Sequence, residues 1–165
     1  MERFAIGTPY PEIFAQLEAR YAKTPLNNSP LIVDQTGVGQ AVMDMLRRVS
    51  VTREIWPVTI TTGLKMSNDY GSWSVPKKDL VATMQVLLQT RRIKVAEALA
   101  EAEMLATELT NFQAKVPPAS AMVDPVAAWR EGQHDDLVLT VVMTAWHAER
   151  QENCSDIGPL SLGKA

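Results

Sequence analysis

An aspartate directly follows a short apolar run in the first quarter of the chain. Leu31-Ile32-Val33 is typical of a strand buried on both faces, and Asp34 comes next. Open α/β sheets bind ligands outside the carboxyl ends of their strands, so a carboxylate there is a candidate functional residue. Asp is also a common cap of the turn or helix after a strand, and position alone favours neither role.

Two further aspartates stand side by side before the last apolar helix. Asp135 and Asp136 follow His134. Capping explains one of them, but adjacent carboxylates repel each other, and the helix dipole offsets only part of that cost. Oxygen ligands suit Mg²⁺ and Mn²⁺, and two such ions about 3.5–4 Å apart stabilise the attacking and leaving oxygens of a phosphodiester. Capping and metal binding are both open interpretations of this pair.

Basic residues flank the clearest predicted helix. Lys77 and Lys78 open it, and Arg91 and Arg92 lie at its far end. Such charges most often form a solvated face. The functional interpretation is contact with the phosphates of double-stranded DNA, which positions a duplex without reading its sequence.

A glycine pair, Gly37 and Gly39, separates Asp34 from the next predicted helix. Glycines let the backbone approach a phosphate, but the third glycine of the dinucleotide fingerprint is missing. A tight turn between strand and helix is the favoured interpretation, and a small nucleotide-binding protein is the least favoured function.

The composition excludes several classes of protein. Of 165 residues, 46% are hydrophobic and 21% are charged, and the net charge is −3, which argues against a disordered chain or a globally basic nucleic-acid binder. No apolar run is long enough to span a membrane, and the amino terminus has no apolar signal core. Cys154 is the only cysteine, so no internal disulfide forms. We expect a cytoplasmic protein.

The elements that would position these residues alternate between strand and helix. This order predicts an α/β fold with a mostly parallel sheet flanked by helices. The predicted strands are 2–7, 31–33, 55–61, 91–95 and 112–116, with loops over 63–74 and 117–124. On the apolar faces of the predicted helices, seven residues are expected to be buried: Leu80, Met84, Leu87, Leu105, Leu109, Val138 and Val142. Residues 1–150 are expected to form one domain, and 151–165 a flexible tail.

Four stretches, in this order and spacing, resemble the nuclease domain of the large terminase subunit of tailed bacteriophages. They are Gly7-Thr8-Pro9-Tyr10-Pro11, Leu31 to Gly39, Val75-Pro76-Lys77-Lys78-Asp79-Leu80, and Glu131 to Leu137. The resemblance covers roughly residues 1–150 and implies a ribonuclease H-like fold. It also implies cleavage of DNA during genome packaging, with acidic residues holding two divalent metals.

Carried onto this sequence, the resemblance makes Asp34 and Asp136, helped by Asp135, the catalytic residues and the ligands of Mg²⁺ or Mn²⁺. The family's domain begins with a strand that bears its first catalytic aspartate, and an ATPase domain precedes it. Neither is found in this sequence, so we expect a domain truncated at its amino terminus, with little endonuclease activity of its own.

A second hypothesis from a different class is a non-catalytic binding or assembly module. Loss of a central strand exposes a sheet edge, and such edges recruit partners. The candidate partners are therefore double-stranded DNA, other terminase or portal components, and a second copy of this chain.

Overall fold

The computed structural model describes residues 4–36, 40–49, 51–114 and 136–155 of the chain. The chain divides into two compact units, Met1–Pro76 and Lys77–Ala165, which we call the first and the second unit. All the strands of the described residues lie in the first unit. The α/β class predicted from the sequence is confirmed, with a four-stranded, mixed and mostly parallel open sheet.

The first unit places two helices among four strands. The elements are α1 (Tyr10–Tyr21), β1 (Leu31–Asp34), α2 (Gln40–Arg48), β2 (Ile55–Thr61), β3 (Ser67–Asp69) and β4 (Ser72–Pro76). The strand order is β1-β2-β4-β3. The strands β1 and β4 both run parallel to β2, and β3 pairs antiparallel with β4. In this register Asp34 stands opposite Val58, which in turn stands opposite Trp73.

The two helices of the first unit cover one face of the sheet. Phe14 of α1 packs with Met43 and Leu46 of α2, and partly buried Leu31, Val33 and Ile55 of the strands complete this cluster. A proline in the first turn starts α1, where its missing N–H breaks no helical hydrogen bond.

The opposite face of the sheet carries its most buried residues. Because side chains alternate along a strand, Val58 and Ile60 of β2 project from this face, and Val58 is fully buried. Trp56 stacks on Trp73 from the neighbouring strand, with ring centroids 5.5 Å apart. The strand β2 thus has buried residues on both faces, Pro57 on one and Val58 and Ile60 on the other, as expected of a parallel strand. All four residues of β1 are half-buried.

The second unit is helical in its described residues. It contains α3 (Lys77–Gln89), α4 (Ala102–Ala114) and α5 (Asp136–Ser155). The helix α5 packs against both α3 and α4. Six of the seven residues predicted to be buried are buried; Leu109 is half-buried. None of the described helices is long and apolar enough to cross a membrane.

Several local predictions are wrong. Residues 4–9 form a turn and no strand, and 91–95 have no regular structure. The predicted loop 63–74 contains β3 and most of β4. Residues 112–114 continue α4. The tail over 151–165 stays a prediction, and α5 ends within that range at Ser155. The predicted loop 117–124 and residues 115–116 lie outside the described residues.

Candidate functional site

Asp34 lies half-buried at the carboxyl end of β1, where the sequence places it. Its Oδ1 accepts a hydrogen bond of 2.8 Å from the backbone N–H of Thr36. Among the described residues, nothing donates to Oδ2, and no cationic side chain lies within ion-pair distance of the carboxylate. Asp34 therefore caps its turn, and the described residues leave its Oδ2 unused.

The residue after Asp34 ties this turn to the sheet. The backbone N–H of Gln35 donates to the carbonyl oxygen of Val58 at 2.8 Å and continues the ladder between β1 and β2. Its side-chain amide donates to Thr59 Oγ1 at 3.0 Å and also to the hydroxyl of Ser72 in β4. One glutamine side chain thus connects β1 with two other strands.

Thr36 adds a second tie between the same turn and β2. Its Oγ1 accepts a hydrogen bond of 2.8 Å from the backbone N–H of Ile60. A side-chain oxygen in this position replaces the carbonyl that a longer β1 would have offered. These contacts hold Asp34 in place, and no sequence signal singles out Gln35 or Thr36 for that role.

The strand that carries Asp34 is at the end of the sheet order. β1 pairs with β2, and no other strand of the described residues pairs with it. The N–H groups of Leu31 and Gln35 point to β2, so those of Ile32 and Asp34 point outward along the open edge. Among the described residues, β1 is therefore an edge strand whose outward N–H groups include that of Asp34.

The second predicted acidic position opens α5. The helix begins at Asp136, while Asp135 and His134 lie outside the described residues, as do Gly37 and Gly39. The backbone N–H groups of Leu137 and Val138 each donate to Oε2 of Glu108 at 3.0 Å. Glu108 of α4 is buried, and its carboxylate satisfies two of the N–H groups that a helix start leaves without an intrahelical partner.

A divalent metal fits this chain in donor type but not in donor number. Oδ2 of Asp34, which the described residues leave unused, is the type of oxygen ligand that Mg²⁺ and Mn²⁺ prefer. However, no group of three or more His, Cys, Asp or Glu side chains comes together in the part of the chain that the structure describes. Those residues do not supply a complete coordination shell, so a metal bound at Asp34 needs further donors from outside them.

The predicted DNA-binding residues have different surroundings. Lys77 is half-buried and Lys78 is exposed at the start of α3, while Arg91 is exposed just after its end, with a positive φ of 56°. Arg92 forms an ion pair of 2.6 Å with Glu149 of α5. At about 1.5 Å per residue, α3 separates the lysines from the arginines by roughly 18 Å.

Comparisons with family models, with curated proteins and with solved structures find no match to this chain.

Proposed function

We propose that this chain is a DNA-packaging nuclease-domain protein of the phage or prophage terminase type, with a ribonuclease H-like fold. The observation that carries the proposal is the position of Asp34, at the carboxyl end of a parallel strand with one carboxylate oxygen unused by the described residues. In this assignment Asp34 and Asp136, helped by Asp135, are the ligands of Mg²⁺ or Mn²⁺.

The start of α5 supports the same proposal. The acidic motif near the end of the sequence is expected to open the last helix, and α5 begins at Asp136. Among the described strands β1 lies at the end of the sheet order, so the proposal is compatible with a further acid-bearing strand beside it.

The roles of the protein's own residues follow from their contacts. Asp34 supplies a negative charge and a carboxylate oxygen, Oδ2, as a metal ligand. The hydrogen bond from the Thr36 N–H to Oδ1 fixes the orientation of the carboxylate. Bound metal ions would supply Lewis-acid stabilisation of the phosphodiester oxygens. Lys78 and Arg91 are exposed and suit DNA phosphates, whereas Arg92 would have to leave Glu149 to do so.

Substoichiometric Mn²⁺ added to the ¹⁵N-labelled chain tests this proposal, because paramagnetic broadening of amide signals detects even weak sites. We expect broadening at Gln35 and Thr36 and in the first turn of α5. Asp34→Ala should remove the broadening at Gln35 and Thr36. Asp44→Ala, which removes an exposed carboxylate of α2, should leave it unchanged. Absence of broadening at both positions in the unaltered chain would contradict the proposal.

A second candidate function is assembly through the open edge of β1. The outward N–H groups of Ile32 and Asp34 are the donors that an added strand would use. Sedimentation of the chain at about 100 µM should then show a dimer or larger species. Ile32→Pro, which removes an outward donor and keeps the bonds to β2, should give a monomer. A monomer in the unaltered chain at that concentration would contradict self-assembly.

A further inference from the structure

A largely apolar groove lies between the carboxyl end of α3 and α4 in the second unit. Its volume is about 590 Å³. Leu88 of α3 and Val95 of the connecting segment line one side, and they are 37% and 46% exposed. Ala102, Ala106 and Leu109 of α4 line the other side. We call this surface the α3–α4 groove.

The groove is a second apolar face of α4. Leu105 and Glu108 are buried on the face that α4 shares with the core of the second unit. Ala102, Ala106 and Leu109 recur at i, i+4 and i+7, which is the spacing of one helix stripe. A surface helix needs one such stripe to pack on its domain, and on the second stripe Ala106 is exposed and Leu109 is half-buried.

The charges that line the groove have one sign. Glu97 and Glu103 are its charged lining residues within the described part of the chain, and both are exposed. The groove therefore combines an apolar floor with an acidic rim. The complementary ligand is apolar along one side and basic on either flank.

From this combination we infer that the α3–α4 groove binds an amphipathic helix of another protein, with apolar residues at i, i+3 or i+4 and i+7 and with Lys or Arg beside them. Helix-in-groove recognition uses apolar anchors of this spacing. A small-molecule site of this volume would enclose its ligand and present several convergent polar groups. The α3–α4 groove instead leaves Leu88 and Val95 partly open to solvent, which suits a helix lying along it.

A pair of designed peptides tests the inference on the full chain. Both are 14-residue helices with leucine at i, i+3, i+4 and i+7; one carries lysine at its polar positions and the other glutamate. Fluorescence anisotropy at about 0.15 M salt, where the Debye length is about 8 Å, limits long-range attraction. We expect the lysine peptide to bind at least tenfold more tightly than the glutamate peptide.

Variants of the groove separate specific docking from general attraction to an acidic protein. Ala106→Trp fills the floor and should weaken binding of the lysine peptide at least tenfold, while Ala82→Trp at an exposed position of α3 should not. The charge reversal Glu97→Lys/Glu103→Lys should invert the preference between the peptides. Glu12→Lys/Glu18→Lys on α1 makes the same change in net charge and should not invert it.

Three results would overturn the inference. The first is equal binding of the two peptides, and the second is equal loss of binding in Ala106→Trp and Ala82→Trp. The third is inversion of the preference by the α1 charge reversal. None of these results bears on Asp34 or on Mn²⁺, so the groove and the proposed nuclease assignment can fail independently.

Discussion

Two carboxylates in this molecule, those of Glu108 and Asp34, each accept backbone hydrogen bonds at the start of a helix or turn. They differ in burial and in how many of these hydrogen bonds they accept. Oε2 of the buried Glu108 accepts two backbone N–H groups of α5. The half-buried Asp34 accepts one N–H group through Oδ1, and Oδ2 has no partner in the described residues. The Glu108 carboxylate therefore has a structural role at the start of α5, whereas Oδ2 of Asp34, unused by the described residues, is a candidate ligand atom.

This difference separates structural acids from candidate functional acids better than sequence position does. Both side chains cap, so capping does not exclude a second role. What distinguishes Asp34 within the described residues is a carboxylate oxygen that they leave unused, on a strand at the end of the sheet order. Substitutions at the two positions should therefore have opposite profiles, one mainly on stability and the other mainly on ligand binding.

Glu108→Ala should destabilise the protein more than any change at Asp34, Tyr21 or Arg92. It leaves the buried N–H groups of Leu137 and Val138 without their acceptor, and unsatisfied buried groups cost about 1–3 kcal/mol each. For the two groups together, we expect the free energy of unfolding in urea to fall by at least about 2 kcal/mol. Glu108→Gln retains an acceptor oxygen and should lose less.

Glu103→Ala is the matched control, because it removes an exposed glutamate from the same helix. It should change the free energy of unfolding by no more than about 0.5 kcal/mol. Equal effects of Glu108→Ala and Glu103→Ala would show that the cap does not stabilise α5.

Asp34→Ala should lose about 1 kcal/mol of stability, since one part-buried hydrogen bond disappears. Asp34→Asn keeps an acceptor for the Thr36 N–H and should unfold at nearly the same urea concentration as the unaltered chain. Both variants lose the negative charge, so both should lose Mn²⁺-dependent broadening at Thr36. Retained broadening in Asp34→Asn would contradict the claim that the Asp34 carboxylate, unlike that of Glu108, binds a metal ion.

The sequence predicted the parts of this contrast that are encoded locally. Leu31-Ile32-Val33 is recognisable as a buried strand from its composition, and the position of Asp34 follows from that strand. The cap on α5 could not be predicted, because its acceptor, Glu108, is 29 residues away from Leu137 along the chain. Contacts of that kind depend on how α4 packs on α5.

The missed strands β3 and β4 had only a weak local signal. The strand β3 is short and entirely polar, and β4 has only Trp73 and Val75 as alternating apolar residues before Pro76. Pairing stabilises both strands, because β4 pairs with β2 and β3 pairs with β4. Tyr70 and Gly71 both have positive φ, as a two-residue hairpin turn requires, and the glycine was the available clue. Conversely, the predicted strand 91–95 fails because Arg91 adopts a left-handed conformation that ends α3.

Tyr21, in the same unit as Asp34, should make a smaller and pH-dependent contribution to the free energy of unfolding than Glu108 or Asp34. Burial raises the pKa of its phenol, whose O–H donates to the carbonyl oxygen of Pro30 at 3.2 Å. The folded state favours the neutral phenol, so its contribution is complete below the unfolded pKa of about 10 and is lost as pH rises through the folded pKa. Tyr21→Phe should cost about 0.5–1 kcal/mol at pH 7.

The difference in free energy of unfolding between Tyr21→Phe and the unaltered chain should decrease above a pH of about 10. Urea unfolding at pH 7 and at pH about 11 measures it, and other titrating groups cancel in the comparison. A difference that stays constant or grows across this range would contradict the assignment of the phenol as a buried donor.

The smallest effect is expected at the ion pair between Arg92 and Glu149 in the second unit. The distance is short, at 2.6 Å, but the side chains are 44% and 26% exposed. Solvent screens such pairs, and double-mutant cycles on them usually give about 0.2–1 kcal/mol. A double-mutant cycle with Arg92→Ala and Glu149→Ala should therefore yield a coupling energy of about 0.5 kcal/mol that falls as the salt concentration rises.

The ion pair also makes Arg92 a weaker phosphate contact than Lys78. DNA must displace Glu149 to reach Arg92, whereas Lys78 is exposed at the start of α3. Lys78→Ala should thus reduce the salt dependence of duplex binding by about 0.9 in log–log slope. Arg92→Ala should reduce it by less, and an equal reduction would show that the ion pair does not restrain Arg92.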